Sequence, residues 1–152
     1  MAKTDTFECS LITPERAILK CDAVFAAFPA HDGEMGILPH RAPLVCKMGI
    51  GSLRIETPKE KHVFFIDGGF AQMVENRLTL LTEQAKRADQ IDAGAAGSAM
   101  ATARTMKATD ERSQAARVKA IRRAQVQLKM AKGFVAKAVL PRLDLPTPVG
   151  PR

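Results

Sequence analysis

Tryptophan and tyrosine are absent, and seven phenylalanines bring the aromatics to only 5% of the chain. A buried core must therefore come from Phe, Val, Ile, Leu and Ala. The stacking platform that single-strand nucleic-acid binders expose has few rings to draw on. No apolar run approaches the roughly 20 residues a membrane-spanning helix needs. The opening MAKTDTFE has no apolar signal region, so the expectation is a soluble protein that stays where it is made. Cys9, Cys21 and Cys46 are odd in number and fit no metal-ligand spacing; they read as small buried hydrophobes in a reducing compartment. Catalytic signatures are missing too. Gly33-x-x-Gly36 and Gly49-x-Gly51 lack the Gly-Lys-Ser/Thr of a phosphate loop and read as turns. No Gly-x-Ser-x-Gly, Ser-His-Asp or Cys-His arrangement occurs at a recognisable spacing, so no catalysis of its own is expected.

What is present divides the chain. At 152 residues it has room for one domain, or for a small domain with an appendage. Residues 1–86 hold 10 basic and 11 acidic side chains, net −1, whereas residues 87–152 hold 13 basic and 5 acidic, net +8. A neutral front and a basic back call for different partners, the basic part for something acidic: nucleic acid, a membrane surface or an acidic protein segment.

From Phe7 to about Leu81 short apolar runs alternate with turns. Phe7, Cys9 and Leu11 alternate with Glu8 and Ser10; Ala23–Phe28 and Val63–Ile66 are apolar on both faces; Leu44–Lys47 and Leu53–Glu56 read as two further strands. Thr57–Lys61, Asp67-Gly68-Gly69 and Glu75-Asn76-Arg77 read as turns. This spacing predicts a sandwich or barrel. Within it Pro29–Pro43 stands out, with three prolines, two glycines and two histidines. The prolines bias Leu38 and Ala42 towards extended backbone, so the segment is an ordered connection that crosses from one sheet to another. His31, Asp32, Glu34 and His40 cluster in it, the material of a metal or acid–base site, but without a ligand pair at a defining spacing.

Past Glu83 the period becomes helical, and no proline occurs between Lys59 and Leu140. Asp89 is the expected N-cap of a first helix, with Asp92 in its first turn and a stripe of Ile91, Ala95, Ala99, Ala103 and Met106. Gly94 and Gly97 each weaken this helix by about 1 kcal/mol relative to alanine. Thr109 or Asp110 caps a second helix over about 111–132. Its Ala120, Ile121, Ala124, Leu128 and Ala131 share one side, and Arg112, Lys119, Arg122, Arg123 and Lys129 gather on the other. The two pair as a hairpin through alanine-rich stripes that bury little area. Gly133 ends the second helix, and the tail 134–152, with four prolines, reads as extended or disordered, with Ala136–Leu140 open to a last helical turn.

Several pieces in one order carry a family resemblance. Gly33-Glu34-Met35-Gly36-Ile37-Leu38-Pro39 followed by Ala42-Pro43, Thr13-Pro14-Glu15, Asp67-Gly68-Gly69-Phe70, Asn76–Leu81 and Ala88–Asp92 resemble the epsilon subunits of bacterial F-type ATP synthases, homologous to the mitochondrial delta subunit, over about residues 5–132. The resemblance implies an α+β architecture: an N-terminal antiparallel β-sandwich, 1–86, then a C-terminal antiparallel helical hairpin, 87–133. It implies a non-catalytic rotor subunit whose sandwich ties the gamma subunit to the c-subunit ring. The helices would lie folded or extend towards the alpha and beta catalytic subunits, hindering ATP hydrolysis. It places the protein peripherally on the cytoplasmic face of the bacterial inner membrane, without nucleic acid. It implies c-ring contact by His31, Glu34 and Arg41, the last standing where the family's Pro-x-His-Ala-Pro has histidine, and an inhibitory role for the five-cation face. Ile91 and Asp92 match an ATP-binding motif of some members, but its arginine position is Ala95, so no cofactor is expected. The alternative from the residues alone is a basic nucleic-acid-binding protein, a small β-barrel with a helical arm; a small metalloenzyme built on the histidine loop comes third.

Overall fold

The computed structural model describes residues 5–144, with side chains through 132. The chain divides into two compact units that meet between Arg87 and Ala88.

The first unit is built of strands β1 (Phe7–Ile12), β2 (Ala17–Ala23), β3 (Phe25–Ala30), β4 (Gly33–Ile37), β5 (Leu44–Glu56), β6 (Lys61–Val74), β7 (Arg77–Leu81) and β8 (Ala85–Arg87). They hydrogen-bond in the order β2-β1-β7-β6-β5-β3-β4, with β8 on β6. The sandwich is antiparallel as expected, with one exception: β1 pairs with β7 in parallel. The reason is topological: β1 and β7 lie far apart in the chain, and no hairpin joins them to impose an antiparallel direction.

Gly33-x-x-Gly36, expected as a turn, belongs to strand β4, and two further expected turns are the interior of strands. Leu44–Lys47 and Leu53–Glu56 are the ends of one strand, β5, and Asp67-Gly68-Gly69 lies inside β6. Gly49 falls opposite Gly68, between the pairs Met48↔Gly69 and Ile50↔Asp67. At that point the inward side changes parity in both strands. On β5, Met48 is buried before it and Leu53 and Ile55 after; on β6, Phe64 and Ile66 are buried before it and Ala71 and Met73 after. Gly68 and Gly69 have φ of 72° and 113°, a backbone open to glycine and strained for other residues. A Cβ on Gly69 would also overlap the Leu81 carbonyl oxygen. The β5–β6 ribbon therefore turns a corner, and its two halves serve two layers.

One layer holds β2, β1, β7 and the Met48 ends of the ribbon; the other holds β4, β3, β8 and the Leu53 ends. Side chains from both meet in a single cluster that includes Phe7, Cys9, Leu11, Phe28, Ile37, Leu53, Ile55, Ile66, Met73, Leu78 and Leu80. Each large apolar side chain so buried contributes about 1.5–3 kcal/mol. Phe65, between Phe64 and Ile66, is also fully buried, as expected of a run apolar on both faces. The segment 38–43 leads from β4 in one layer to the start of β5 in the other.

The second unit holds a 3-10 turn (Ala88–Gln90), α1 (Ala93–Thr105) and α2 (Glu111–Asp144). Asp92, not Asp89, is the N-cap of α1, accepting a hydrogen bond from the Gly94 N–H at 2.9 Å. The buried side of α1 is Ala96, Met100 and Ala103, while Ala95 and Ala99 are exposed. The stripe is thus turned by one residue from the expected one, because Met100 is the largest apolar group on the helix and its burial outweighs that of two methyls. α2 begins at the Asp110 cap, whose carboxylate accepts from the Ser113 N–H at 2.7 Å. Ala124 and Ala131 are buried, with Ala120, Ile121 and Leu128 half-buried beside them. The expected stop at Gly133 is not taken. α2 continues to Asp144, so residues 134–144 are helical rather than extended. One interior glycine costs about 1 kcal/mol, which by itself is too little to end a helix. The remainder of the expected tail, 145–152, lies outside the described residues.

Candidate functional site

The histidine-rich segment does not gather into one cluster. His31 and Asp32 form the tip of the β3–β4 hairpin, where Ala30 pairs with Gly33 and Pro29 with Glu34. His31, Asp32 and Glu34 are exposed, and a shallow depression separates this hairpin from Cys46 and Lys47 of β5. His40 is held elsewhere. Its backbone has φ of 65°, its N–H donates to Asn76 Oδ1 at 2.7 Å, and its Nε2 lies 2.9 Å from Asp5 Oδ1. The Asn76 amide donates to the Thr6 carbonyl at 2.9 Å. Asn76 and Glu75 have φ of 59° and 50°, the two positive values that a tight β6–β7 hairpin requires. The loop is thus pinned to the β6–β7 turn and to the start of β1, which leaves Arg41 exposed beside the entry to β5. Among the described residues no group of three or more His, Cys, Asp or Glu is placed to hold a metal ion.

Two features escaped the sequence reading. On the outer side of β5, β6 and β7, Val45, Phe70, Val74 and Leu81 are exposed, Phe70 by 55% and Val45 by 70%. Phe70 pairs with Leu81 on one side and Lys47 on the other, so these side chains form a patch across three strands. Its signal was legible only once Ala71 and Met73 were known to face inward. Beneath its rim, Glu8 bridges Lys20 of β2 and Arg77 of β7, both at 3.1 Å, and these two cations, the Lys20 hydrogen bond first, hold its carboxyl below the usual range.

The second missed feature is Arg117. Its Nη2 donates to the Arg104 carbonyl at 3.1 Å, supplying a cation and a donor to the C-terminal end of α1. Its Nε is buried without a partner. Arg112, Lys119, Arg122 and Lys129 are exposed on α2 and Arg123 is half-buried, so the expected basic face is present, interrupted by exposed Ala115 and Val118. At the start of α1 the Asp92 carboxylate is engaged as the cap, Ile91 is half-buried and Ala95 is exposed.

All three thiols are held above the ordinary value, first by burial, and Cys9 most strongly, with Cys21 beside it adding to the effect.

The described residues thus form a two-layer body with exposed apolar side chains on one face, followed by a helical hairpin with exposed cations. Residues 6–88 match the family model described as the ATP synthase delta/epsilon chain β-sandwich domain. The ATP synthase epsilon chain of Rhodopirellula baltica is 35% identical over 127 residues, covering 84% of this chain and 99% of that one. The epsilon chain of Synechococcus elongatus is 33% identical over 130 residues, covering 83% and 95%. In fold, a chain of the Euglena gracilis mitochondrial ATP synthase (OSCP/F1/c-ring) superposes with a TM-score of 0.67 at 22% identity, covering 91% of this chain and 84% of that one. A chain of the Tetrahymena thermophila mitochondrial ATP synthase central stalk and c-ring gives 0.68 at 12%, covering 86% and 99%. This chain belongs to the ATP synthase delta/epsilon chain family. Membership in this family replaces the alternative reading of a nucleic-acid-binding protein.

Proposed function

We propose that this chain is the non-catalytic epsilon subunit of a rotary F-type ATP synthase, coupling gamma to the membrane c ring. The observation that carries the docking role is the outward patch of Val45, Phe70, Val74 and Leu81. Apolar surface of this kind on a rigid sheet is stabilised by covering it, and gamma is the partner it fits. The hairpin tip with His31 and Glu34, together with Arg41, offers polar and charged groups to the polar loops of the c ring. Of the described residues no helix is long and apolar enough to cross a membrane, so attachment to the membrane would run through the complex; a peripheral place on the cytoplasmic face follows from this role. The subunit carries no chemistry of its own. Nucleotide does not fit the start of α1: Asp92 spends its carboxylate on the Gly94 N–H, and Ala95 puts no cation where phosphate charge would need one.

Copurification tests the first part. Phe70→Glu in the full chain places an unpaired charge in the centre of the patch and should weaken gamma binding by at least about tenfold, or roughly 1.4 kcal/mol. Unchanged binding with an intact fold would show that gamma sits elsewhere. A cysteine in place of Glu34 should cross-link to a c subunit in assembled enzyme.

The basic face of α2 acts as a brake on hydrolysis by meeting acidic segments of the catalytic subunits. Exposed pairs contribute at most about 1 kcal/mol each, so several must act together. Replacing Lys119, Arg122, Arg123 and Lys129 together by alanine should accelerate ATP hydrolysis with assembly unchanged, and single replacements should have little effect. If removing the helices accelerates hydrolysis and the quadruple variant does not, the contact lies on another face.

A further inference from the structure

Cys9 and Cys21 are direct cross-strand partners in the β1–β2 pair. The Glu8 N–H donates to the Asn76 carbonyl and the Ile12 carbonyl accepts from the Thr82 N–H, so the even-numbered residues of β1 turn their backbone groups towards β7. The odd-numbered ones, Cys9 among them, turn theirs towards β2. Cys9 and Cys21 therefore form a hydrogen-bonded pair, whose Cα atoms stand roughly 5.5 Å apart in antiparallel sheet. That falls inside the span of about 4.4–6.8 Å that disulfides bridge. Both side chains point to the same inner face: Cys9 lies in the core cluster and Cys21 packs against it. Both are free thiols. β2 is the last strand of the sheet order, so among the described residues its outer edge has no strand partner, and Cys21 is only half-buried where Cys9 is fully covered. Cys46 sits on β5 opposite Ala71 and has no thiol partner in register.

We propose that Cys9 and Cys21 form a redox-sensitive dithiol, which a small disulfide such as oxidised glutathione closes into a cross-strand bond that staples the edge strand β2 to β1. The Cys21 thiolate attacks one sulfur of the glutathione disulfide, releasing one reduced glutathione and leaving a mixed disulfide. The Cys9 thiolate then attacks the Cys21 sulfur, forming the Cys9–Cys21 bond and expelling the second glutathione. Two thiols lose two protons and two electrons, and the glutathione disulfide takes them up. Reduced glutathione reverses both steps. Burial, with Asp22 and Glu60 beside Cys21, disfavours both thiolates, so closure is slow at neutral pH and quickens as pH rises. Once formed, the bond removes freedom from the unfolded chain and stabilises the edge. This inference does not depend on the partners assigned above.

The test uses the full chain, unmodified and with Cys46→Ser, incubated with oxidised glutathione at neutral and mildly alkaline pH. Free thiols are then alkylated and the peptides mapped by mass spectrometry. The expected product is monomeric, with one internal link between the Cys9 and Cys21 peptides, a higher thermal midpoint, and restoration by reduced glutathione. In Cys21→Ser, Cys9 should stay reduced. A glutathione adduct that persists on Cys21 without closing, a link from Cys9 to Cys46 or to a second chain, oxidation of Cys9 in Cys21→Ser at the unmodified rate, or no reaction of either thiol at alkaline pH would each overturn the proposal.

Discussion

Gly69→Ala is the substitution that most directly interrogates the corner of the β5–β6 ribbon. Two separate penalties meet there. A side chain at φ 113° is strained by about 1–3 kcal/mol. The added Cβ would also overlap the Leu81 carbonyl oxygen and sit 2.8 Å from the Thr82 Cα, both of them backbone atoms that cannot rotate aside. Relief requires β7 to move away from β6, at the rung where Phe70 pairs with Leu81, and overpacking of that kind costs about 1–3 kcal/mol. Loss of a ladder hydrogen bond adds about 1 kcal/mol. Together these come to about 3–7 kcal/mol, a large part of the roughly 5–15 kcal/mol that holds a domain folded. Gly33→Ala supplies the control: its φ is 128° and its added Cβ would have nothing within 4 Å, so only the backbone strain applies. Without tryptophan or tyrosine the assay is urea unfolding by circular dichroism, with hydrogen exchange of β6 and β7 peptides to separate the sandwich from the helices. Gly69→Ala should lose markedly more stability than Gly33→Ala, and exchange should rise first around Phe70 and Leu81. If the two variants are equally stable, close approach of the chains is not what holds the corner.

Two further outcomes follow from single side chains. Arg117→Ala should remove the donor and the cation at the end of α1, lowering protection of amides in 93–105 by about 1–2 kcal/mol while the strands keep theirs; unchanged protection there would show that the Arg104 contact holds nothing. The thiols set an alkaline limit: Cys9 is raised from its ordinary value of 9.0 in the folded chain, so its contribution is complete below that pH. It is lost as pH rises, by about 1.4 kcal/mol per pH unit once the unfolded thiol ionises. Urea midpoints between neutral and strongly alkaline pH should therefore fall less steeply in Cys9→Ala than in the parent, and equal slopes would refute the assignment.

Local preference was enough to determine much of this protein. Alternation of Phe7, Cys9 and Leu11, the change to helical period after Glu83, the Asp110 cap and the cations of α2 are all properties of neighbouring residues, and each was legible. So were the motifs around Gly33–Pro39 and Gly68–Phe70 that carry the family resemblance. What lay beyond reach depended on partners distant in the chain. Gly49 and Gly68 look like turn residues until β5 and β6 pair along their whole length, when they become opposite sides of one corner. His40 appears to belong with His31 until Asp5 and Asn76 arrive to hold it away. The parallel pairing of β1 with β7, the outward patch around Phe70 and the facing of Cys9 and Cys21 are all matters of register between separate strands. A strand's own residues determine that its faces alternate, but only the partner strand and the layer opposite determine which face is covered. The same holds for α1, where alanines at several angles were equivalent by pattern and the burial of Met100 chose among them.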